Sequence, residues 1–326
     1  MKDDKPPQQH NHQRKIITRF SQPLIYLLVI SLSYTLGYLS SSSSSSTTHN
    51  ITTTATTSIQ PSPPSSSSSK TTTGTAKSTL SSIPTDSLDH FRFLTRCGKP
   101  VSPELIRQTL LYKVYNGTSP YSEFPPPHIN SLIKEKRIKG WGSKGAVFEN
   151  LIRKVKPTTI IEVGTFLGAS AIHMAELTRS LGLKTQILCV DDFRGWAGFR
   201  DERFMDIQMV NGDIMLMYQF MQNVVYSNAT ELILPIPFST QSTLDKFCEW
   251  GILGDLVEVD AGHDFHSAWS DINRAYKILR PGGVMFGHDY FTAADERGVR
   301  RAVNLFARVN GFRVQVDGQH WVIDSI

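Results

Sequence analysis

From about residue 144 onward, short apolar β-rich runs alternate with stretches of helical period, and this alternation limits the fold more than any other feature of the chain. The runs TTIIEVG (158–164), TQILCVDDF (185–193), ELILPIPF (231–238), DLVEVDA (255–261) and GVMFGHD (283–289) read as strands. Helices are expected over 168–182, 211–227, 241–250, 265–279 and 297–308. A leading helix, KGAVFENLIRKV, sets Val147, Phe148, Leu151 and Ile152 on one face and is stopped by Pro157. Strands that are apolar without alternation are buried on both faces, so the class is α/β, a doubly wound, mainly parallel sheet covered by helices. The ending departs from this rhythm. FRVQVDG and QHWVIDSI meet at Asp317-Gly318, a hairpin signal that predicts an antiparallel C-terminal strand.

The first quarter of the chain is built differently. Residues 21–39, SQPLIYLLVISLSYTLGYL, carry no charge and are long enough to cross a bilayer, and the preceding twenty residues are net basic. They read as a transmembrane signal anchor behind a cytoplasmic tail (1–20), with a cleavable signal peptide as the competing reading. Residues 40–85 hold thirty Ser or Thr among forty-six and cannot build a core, so they form a stem. Residues 86–140 extend the domain at its N-terminal side and residues 141–326 form the domain itself. This order predicts a single-pass type II membrane protein of the Golgi or ER with its catalytic domain in the lumen. Sequons at Asn50, Asn116 and Asn228 agree with that placement and mark a glycoprotein.

The whole chain has 34 Lys or Arg against 29 Asp or Glu, but the excess sits in the first 85 residues, which hold seven against two. The remainder is balanced, which removes the argument for a nucleic-acid partner. Cys97, Cys189 and Cys248 are too few for a disulfide scaffold; Cys189 lies in a strand pattern, and a bridge between the other two stays open.

In a sheet of this kind ligands bind beyond the carboxyl ends of the strands. IIEVGTFLGAS follows the first strand and opens a helix, with Gly164 and Gly168 allowing close approach of backbone to a ligand. Phe166 stands where a dinucleotide fingerprint requires its second glycine, which argues against a pyrophosphate. The second strand ends in VDDF, where Asp191, and next to it Asp192, can accept the hydroxyls of a ribose. These residues, with the terminal hairpin, resemble the class I S-adenosylmethionine-dependent methyltransferases over roughly residues 140–326. The resemblance implies a seven-stranded Rossmann-like sheet. It also implies that Glu162, Gly164 and Gly168 lie under the methionine and ribose, that Asp191 holds the ribose diol, and that Ser242 lies beside the adenine.

VDAGHDFH (259–266) and GHDY (287–290) place Asp260 and Asp289 at the ends of neighbouring strands, an arrangement that could present two carboxylates to one metal ion. The pattern also resembles metal-dependent sugar O-methyltransferases and cephalosporin-hydroxylase-like proteins. There an acid ends the fourth strand, a His follows three residues later, and an acidic pair ends the fifth. Asp260 and His263 match; His288 replaces the first acid of the pair. The resemblance implies Asp260, His288 and Asp289 as ligands for Mg²⁺ or Mn²⁺, with Asp260 and His263 catalytic and His263 the general base. Asp264 is read as the cap of the following helix, and His266 is left outside the site. Trp141 and the segment Arg194 to Trp196 are placed at the acceptor pocket, with plain packing as the other reading.

The resulting expectation is an S-adenosylmethionine-dependent O-methyltransferase of the secretory pathway, acting on a sugar or glycan hydroxyl. A Golgi glycosyltransferase and a catalytically inactive cofactor-binding protein are the alternatives. The partners expected are a small-molecule or glycan acceptor and, through the N-terminal helix, the membrane.

Overall fold

The computed structural model describes residues 96–201 and 203–324. The predicted tail, membrane span and stem, with the Asn50 sequon, lie outside the described residues. Among the described residues no helix is long and apolar enough to cross a membrane.

Helix α1 (Pro103–Tyr115) precedes the alternating part, with a proline in its first turn and Asn116 closing it in the left-handed region. There follow α2 (Ala146–Val155), β1 (Thr159–Val163), α3 (Ala169–Ser180), β2 (Gln186–Val190), α4 (Leu216–Tyr226) and β3 (Ile233–Ile236). Next come α5 (Thr240–Trp250), β4 (Gly254–Val259), α6 (Phe265–Lys277), β5 (Leu279–Gly287), α7 (Ala294–Asn310), β6 (Gln315–Asp317) and β7 (His320–Asp324). The seven strands form one sheet in the order β3-β2-β1-β4-β5-β7-β6. The first five are parallel; β7 runs antiparallel to β5 and pairs with β6 through the expected hairpin.

Successive side chains of a strand point to opposite faces, so each strand feeds two apolar layers. Ile161, Val163, Leu188, Val257 and Met285 pack with α1 and α5 to α7; Ile160, Ile187, Leu256, Val284 and Phe286 pack with α2 to α4. Val147, Phe148, Leu151 and Ile152 form the buried stripe of α2, as their spacing requires. Phe148, fully buried, contributes about 2–3 kcal/mol through burial alone.

Three boundaries differ from expectation. The helix expected from 211 starts at Leu216, because Asn211 and Gly212 both take positive φ and turn a two-residue ladder of Met209–Val210 against Asp213–Ile214. Strand β5 starts at Leu279, before the Arg280-Pro281-Gly282-Gly283 stretch, which bulges out where the register jumps from Leu279 opposite Gly254 to Val284 opposite Leu256. In α7, Asp295 to Arg297 take left-handed angles, so the regular helix begins at Gly298, one residue after the expected start.

Cys97 and Cys248 form a disulfide, tying the segment before α1 to α5. Cys189 is free and buried, as expected of a core residue.

Candidate active site

The turn from β1 into α3 lies at the middle of the sheet, where the strand order reverses direction between β1 and β4. Gly164 (φ +87°) comes so close to β4 that a Cβ there would lie 2.2 Å from the Asp260 carbonyl oxygen. No side chain fits. Gly168 (φ +80°) caps α3, and a Cβ there would press on the Phe220 ring at 2.8 Å.

Glu162 is fully buried on β1, opposite Cys189 of β2 and Glu258 of β4. Its carboxylate accepts hydrogen bonds from Thr165 Oγ1 (2.5 Å), Cys189 Sγ (3.2 Å) and the Ser170 hydroxyl. These bonds bind both ends of the turn to the strand below it. Burial raises the Glu162 carboxyl above its ordinary range, against those hydrogen bonds. The neighbouring Glu258 is raised by burial and by Glu162, and its Oε2 has no hydrogen-bond partner among the described residues. Two such carboxyls on adjacent strands cannot both ionise cheaply, so a proton resides on the pair.

Asp191 ends β2, yet its carboxylate faces the turn. Oδ2 accepts from the backbone N–H groups of Thr165 (3.0 Å) and Phe166 (2.9 Å), and Oδ1 from that of Phe193 (2.7 Å). Burial nevertheless raises its pKa. Of roughly four lone-pair positions on a carboxylate, three are therefore engaged. Asp192, exposed at the same strand end, accepts the Arg194 N–H at 3.0 Å.

Ser242 lies in the first turn of α5, exposed, bonded to the Ser239 hydroxyl (2.7 Å) and carbonyl (3.1 Å). It joins none of the clusters described here.

Asp260, His263 and Asp289 come together at the ends of β4 and β5, with one ligand-capable atom from each lying within 4.8 Å of the others. His263 Nε2 lies 3.1 Å and His288 Nδ1 3.2 Å from the same oxygen, Asp289 Oδ2, while Thr292 donates to Oδ1 at 2.5 Å. Burial would raise Asp289, but the two imidazoles and Thr292 hold it well below the usual carboxylate range. Asp260 is pushed up to about 6 by burial, partly offset by His288. The carboxylate partner raises His263 despite its burial.

His263 completes the ligand-capable trio. The His288 ring, also expected as a ligand, turns Nδ1 toward the same Asp289 oxygen and its Cδ2–Nε2 edge toward Gly142, and its centroid is 4.9 Å from that of His320. Carboxylate oxygens and an imidazole suit Mn²⁺, Mg²⁺ or Zn²⁺, and a small cavity of about 10 Å³ lies among Asp260, His263 and His288. Asp264 caps α6, accepting from His266 N (2.9 Å) and Ser267 N (3.1 Å).

Beside the glycine turn Phe166 forms an aromatic cluster with Trp141 (5.6 Å between centroids), Trp196 (5.6 Å) and Phe204 (5.0 Å). Trp141 and Trp196 remain about half exposed, so they pack and also face solvent at the site.

Residues 161–290, which run from the glycine turn through the GHDY ending, match the family model described as a methyltransferase domain. Of the two enzyme classes weighed from the sequence, the match favours the methyltransferase. Among solved structures, an O-methyltransferase from Bacillus cereus in complex with SAH is 16% identical, covering 67% of this chain and 97% of its own, with a TM-score of 0.41. The O-methyltransferase TomG from Streptomyces achromogenes, involved in tomaymycin synthesis and in complex with SAM, is 15% identical, covering 74% of this chain and 96% of its own, also with a TM-score of 0.41. No curated protein matches the sequence.

Several contributors to the candidate site were missed in the sequence. Thr165 and Ser170 hold Glu162, Thr292 holds Asp289, and Asn223 of α4 donates to the Leu167 carbonyl at 2.9 Å. Thr165 and Ser170 had a local signal, since both fall within reach of Glu162 around one turn. Asn223 had none, because its partner is 56 residues away.

Proposed function

We propose that the methyltransferase domain transfers the methyl group of S-adenosylmethionine to a hydroxyl of a sugar or glycan. The observation that carries the O-transfer reading is His263 beside Asp289 at the strand ends, next to the glycine turn. Methyl transfer from a sulfonium to an alcohol needs an acceptor held in line and a group to take its proton. His263 takes that proton. Asp289 orients its ring and favours the imidazolium that forms, and Asp260 adds negative charge on the other side. Gly164 and Gly168 form the floor under the cofactor, and Glu162 holds that floor rigid from below. The ribose diol meets the lone pair left on Asp191 and the free carboxylate oxygen of Asp192.

Asp260, His263 and Asp289 could also hold Mg²⁺ or Mn²⁺. A bound cation would lower the pKa of the acceptor hydroxyl. The two readings compete for His263, so metal titration separates them: Mn²⁺ binding lost in both Asp260→Asn and Asp289→Asn supports the metal, and wild-type turnover unaffected by a chelator supports the base.

The secretory placement rests on the uncharged segment 21–39, exposed sequon asparagines at Asn116 and Asn228, and a disulfide suited to an oxidising compartment. Protease protection of the C-terminal domain in sealed microsomes, with a glycosidase-sensitive mass, is the expected result; a digestible, unglycosylated domain refutes it. For the acceptor, the full chain is incubated with methyl-labelled S-adenosylmethionine and a panel of saccharides and phenolic alcohols. Label in the saccharides supports the reading, and label in the phenols alone refutes it.

A further inference from the structure

A cleft of about 910 Å³ lies away from the strand-end crevice. It lies over the starts of α2 and α3, beneath segment 136–145 and beside the 317–320 turn. Its volume is in the range of small-molecule sites, about 300–1,000 Å³. Only a thin wall divides it from the catalytic cluster: Gly142 lines the cleft so close to His288 that a Cβ there would lie 2.5 Å from the ring, and His320 lines it with its ring tilted at 58° to that of His288, 4.9 Å between centroids.

Three lysines, Lys136, Lys139 and Lys144, line this cleft, and none forms an ion pair with a described residue. Their neighbours Lys134 and Arg137 are both spent on Asp206. Lys136 is held instead over the Tyr226 ring (4.8 Å) and Lys139 near the Trp141 ring (5.9 Å). A ring face positions an ammonium group but leaves its N–H donors free for an oxyanion. The start of α2 lines the same cleft without a side-chain cap; the Gly145 N–H donates to the Gly142 carbonyl at 3.0 Å, and the positive end of the helix is presented at Ala146.

The remaining lining is not basic. Glu176 and Asp317 contribute carboxylates, and Ser143, Ser227 and Gln319 contribute neutral polar groups. A site for a bare anion would exclude carboxylates, whereas a polyhydroxylated ligand uses them as acceptors for its O–H groups. We propose that this cleft binds an oxyanion-bearing saccharide, its charged group at Lys139, Lys144 and the start of α2, its hydroxyls on Glu176 and Asp317. Because the wall separates this cleft from His263, the ligand held there is not the hydroxyl being methylated, and the cleft is a second saccharide site that goes beyond the sugar-hydroxyl reading above.

The test is calorimetry on the full chain with glucose 6-phosphate, glucuronic acid, glucose and inorganic phosphate, repeated on Lys139→Gln/Lys144→Gln and on Lys184→Gln, which lies outside the cleft. At least one charged hexose should bind ten or more times more tightly than glucose and than inorganic phosphate. The paired lysine variant should lose at least tenfold, and Lys184→Gln should lose nothing. The phosphate and the uronate, whichever binds, identify the source of the oxyanion. Equal binding of glucose, equal binding of inorganic phosphate, an unaffected lysine variant, or no binding of either charged hexose would each overturn the proposal. S-adenosylmethionine is titrated in parallel. Lysine-dependent sugar binding without cofactor binding sinks the methyltransferase reading and leaves the cleft standing; the reverse result does the opposite.

Discussion

Replacing Gly164 by alanine adds one methyl group at the closest approach in the site. The new Cβ would lie 2.2 Å from the Asp260 carbonyl oxygen and 2.8 Å from Ala261 Cα, both backbone atoms just beyond the end of β4 that no rotamer change can move aside. To reach a tolerable contact the turn must retreat by about 1 Å. Alanine at a positive φ costs about 1–2 kcal/mol and the enforced separation of β1 from β4 about 1–3 more, together about 2–5 kcal/mol. For a domain of this size that is on the order of 10 °C in melting temperature. Gly168→Ala is the internal comparison, since its Cβ meets a Phe220 ring edge at 2.8 Å and a ring can rotate or shift. Thermal unfolding and calorimetric titration with S-adenosylmethionine read both effects. Gly164→Ala should be the less stable variant and lose at least tenfold in affinity, with Gly168→Ala less affected on both counts. A Gly164→Ala protein within about 0.5 kcal/mol of wild type and with undiminished affinity would refute the close-approach argument.

Asp206 bonds Arg137 and Lys134, which hold it down to about 2, so its contribution is present above the unfolded pKa near 4 and lost as pH falls through about 2. Asp206→Asn should therefore cost about 1–2 kcal/mol at neutral pH, after allowance for solvent screening, with the difference shrinking below pH 4 in acid unfolding curves; a constant difference contradicts it. Asp260 has the opposite sign: its carboxyl is raised to about 6, so stability falls as pH rises from about 4 through 6, and Asp260→Asn should flatten that slope in denaturant titrations without metal. Breaking the Cys97–Cys248 bridge, which spans 151 residues, should cost about 2–5 kcal/mol in chemical denaturation, and Cys189→Ser should leave the response to reductant unchanged. Asp191→Ala should lower both melting temperature and cofactor affinity because it frees the backbone donors of the turn, whereas Asp192→Ala should lower affinity alone; equal stabilities would contradict the anchoring role.

The strand and helix order was legible because each buried strand is an unbroken apolar run and each helix carries its own periodic stripe. The hairpin at Asp317-Gly318 was legible for the same local reason, and Asn211-Gly212 carried an equal signal that was read as helix. Contacts set by the third dimension were not legible. Nothing near Cys97 points to Cys248, and nothing in VDDF tells a ribose-holding Asp191 from one turned under the glycine turn. At the cluster, the spacing in D-x-x-H brings His263 back beside Asp260 and Asp289 because loop geometry over three residues is local. The direction of the His288 ring was not legible, because its Cδ2–Nε2 edge faces Gly142, 146 positions earlier. Glu258 passed as an ordinary strand residue, although the period of two in LVEVD places it on the same face as Asp260.

The most direct test of the central claim is a calorimetric titration of the full chain with S-adenosylmethionine, repeated on Gly164→Arg. Submillimolar binding by the wild type, abolished in a folded Gly164→Arg variant, is the result predicted. A folded wild-type chain that binds no S-adenosylmethionine would contradict the assignment of the β1–α3 turn as the cofactor site.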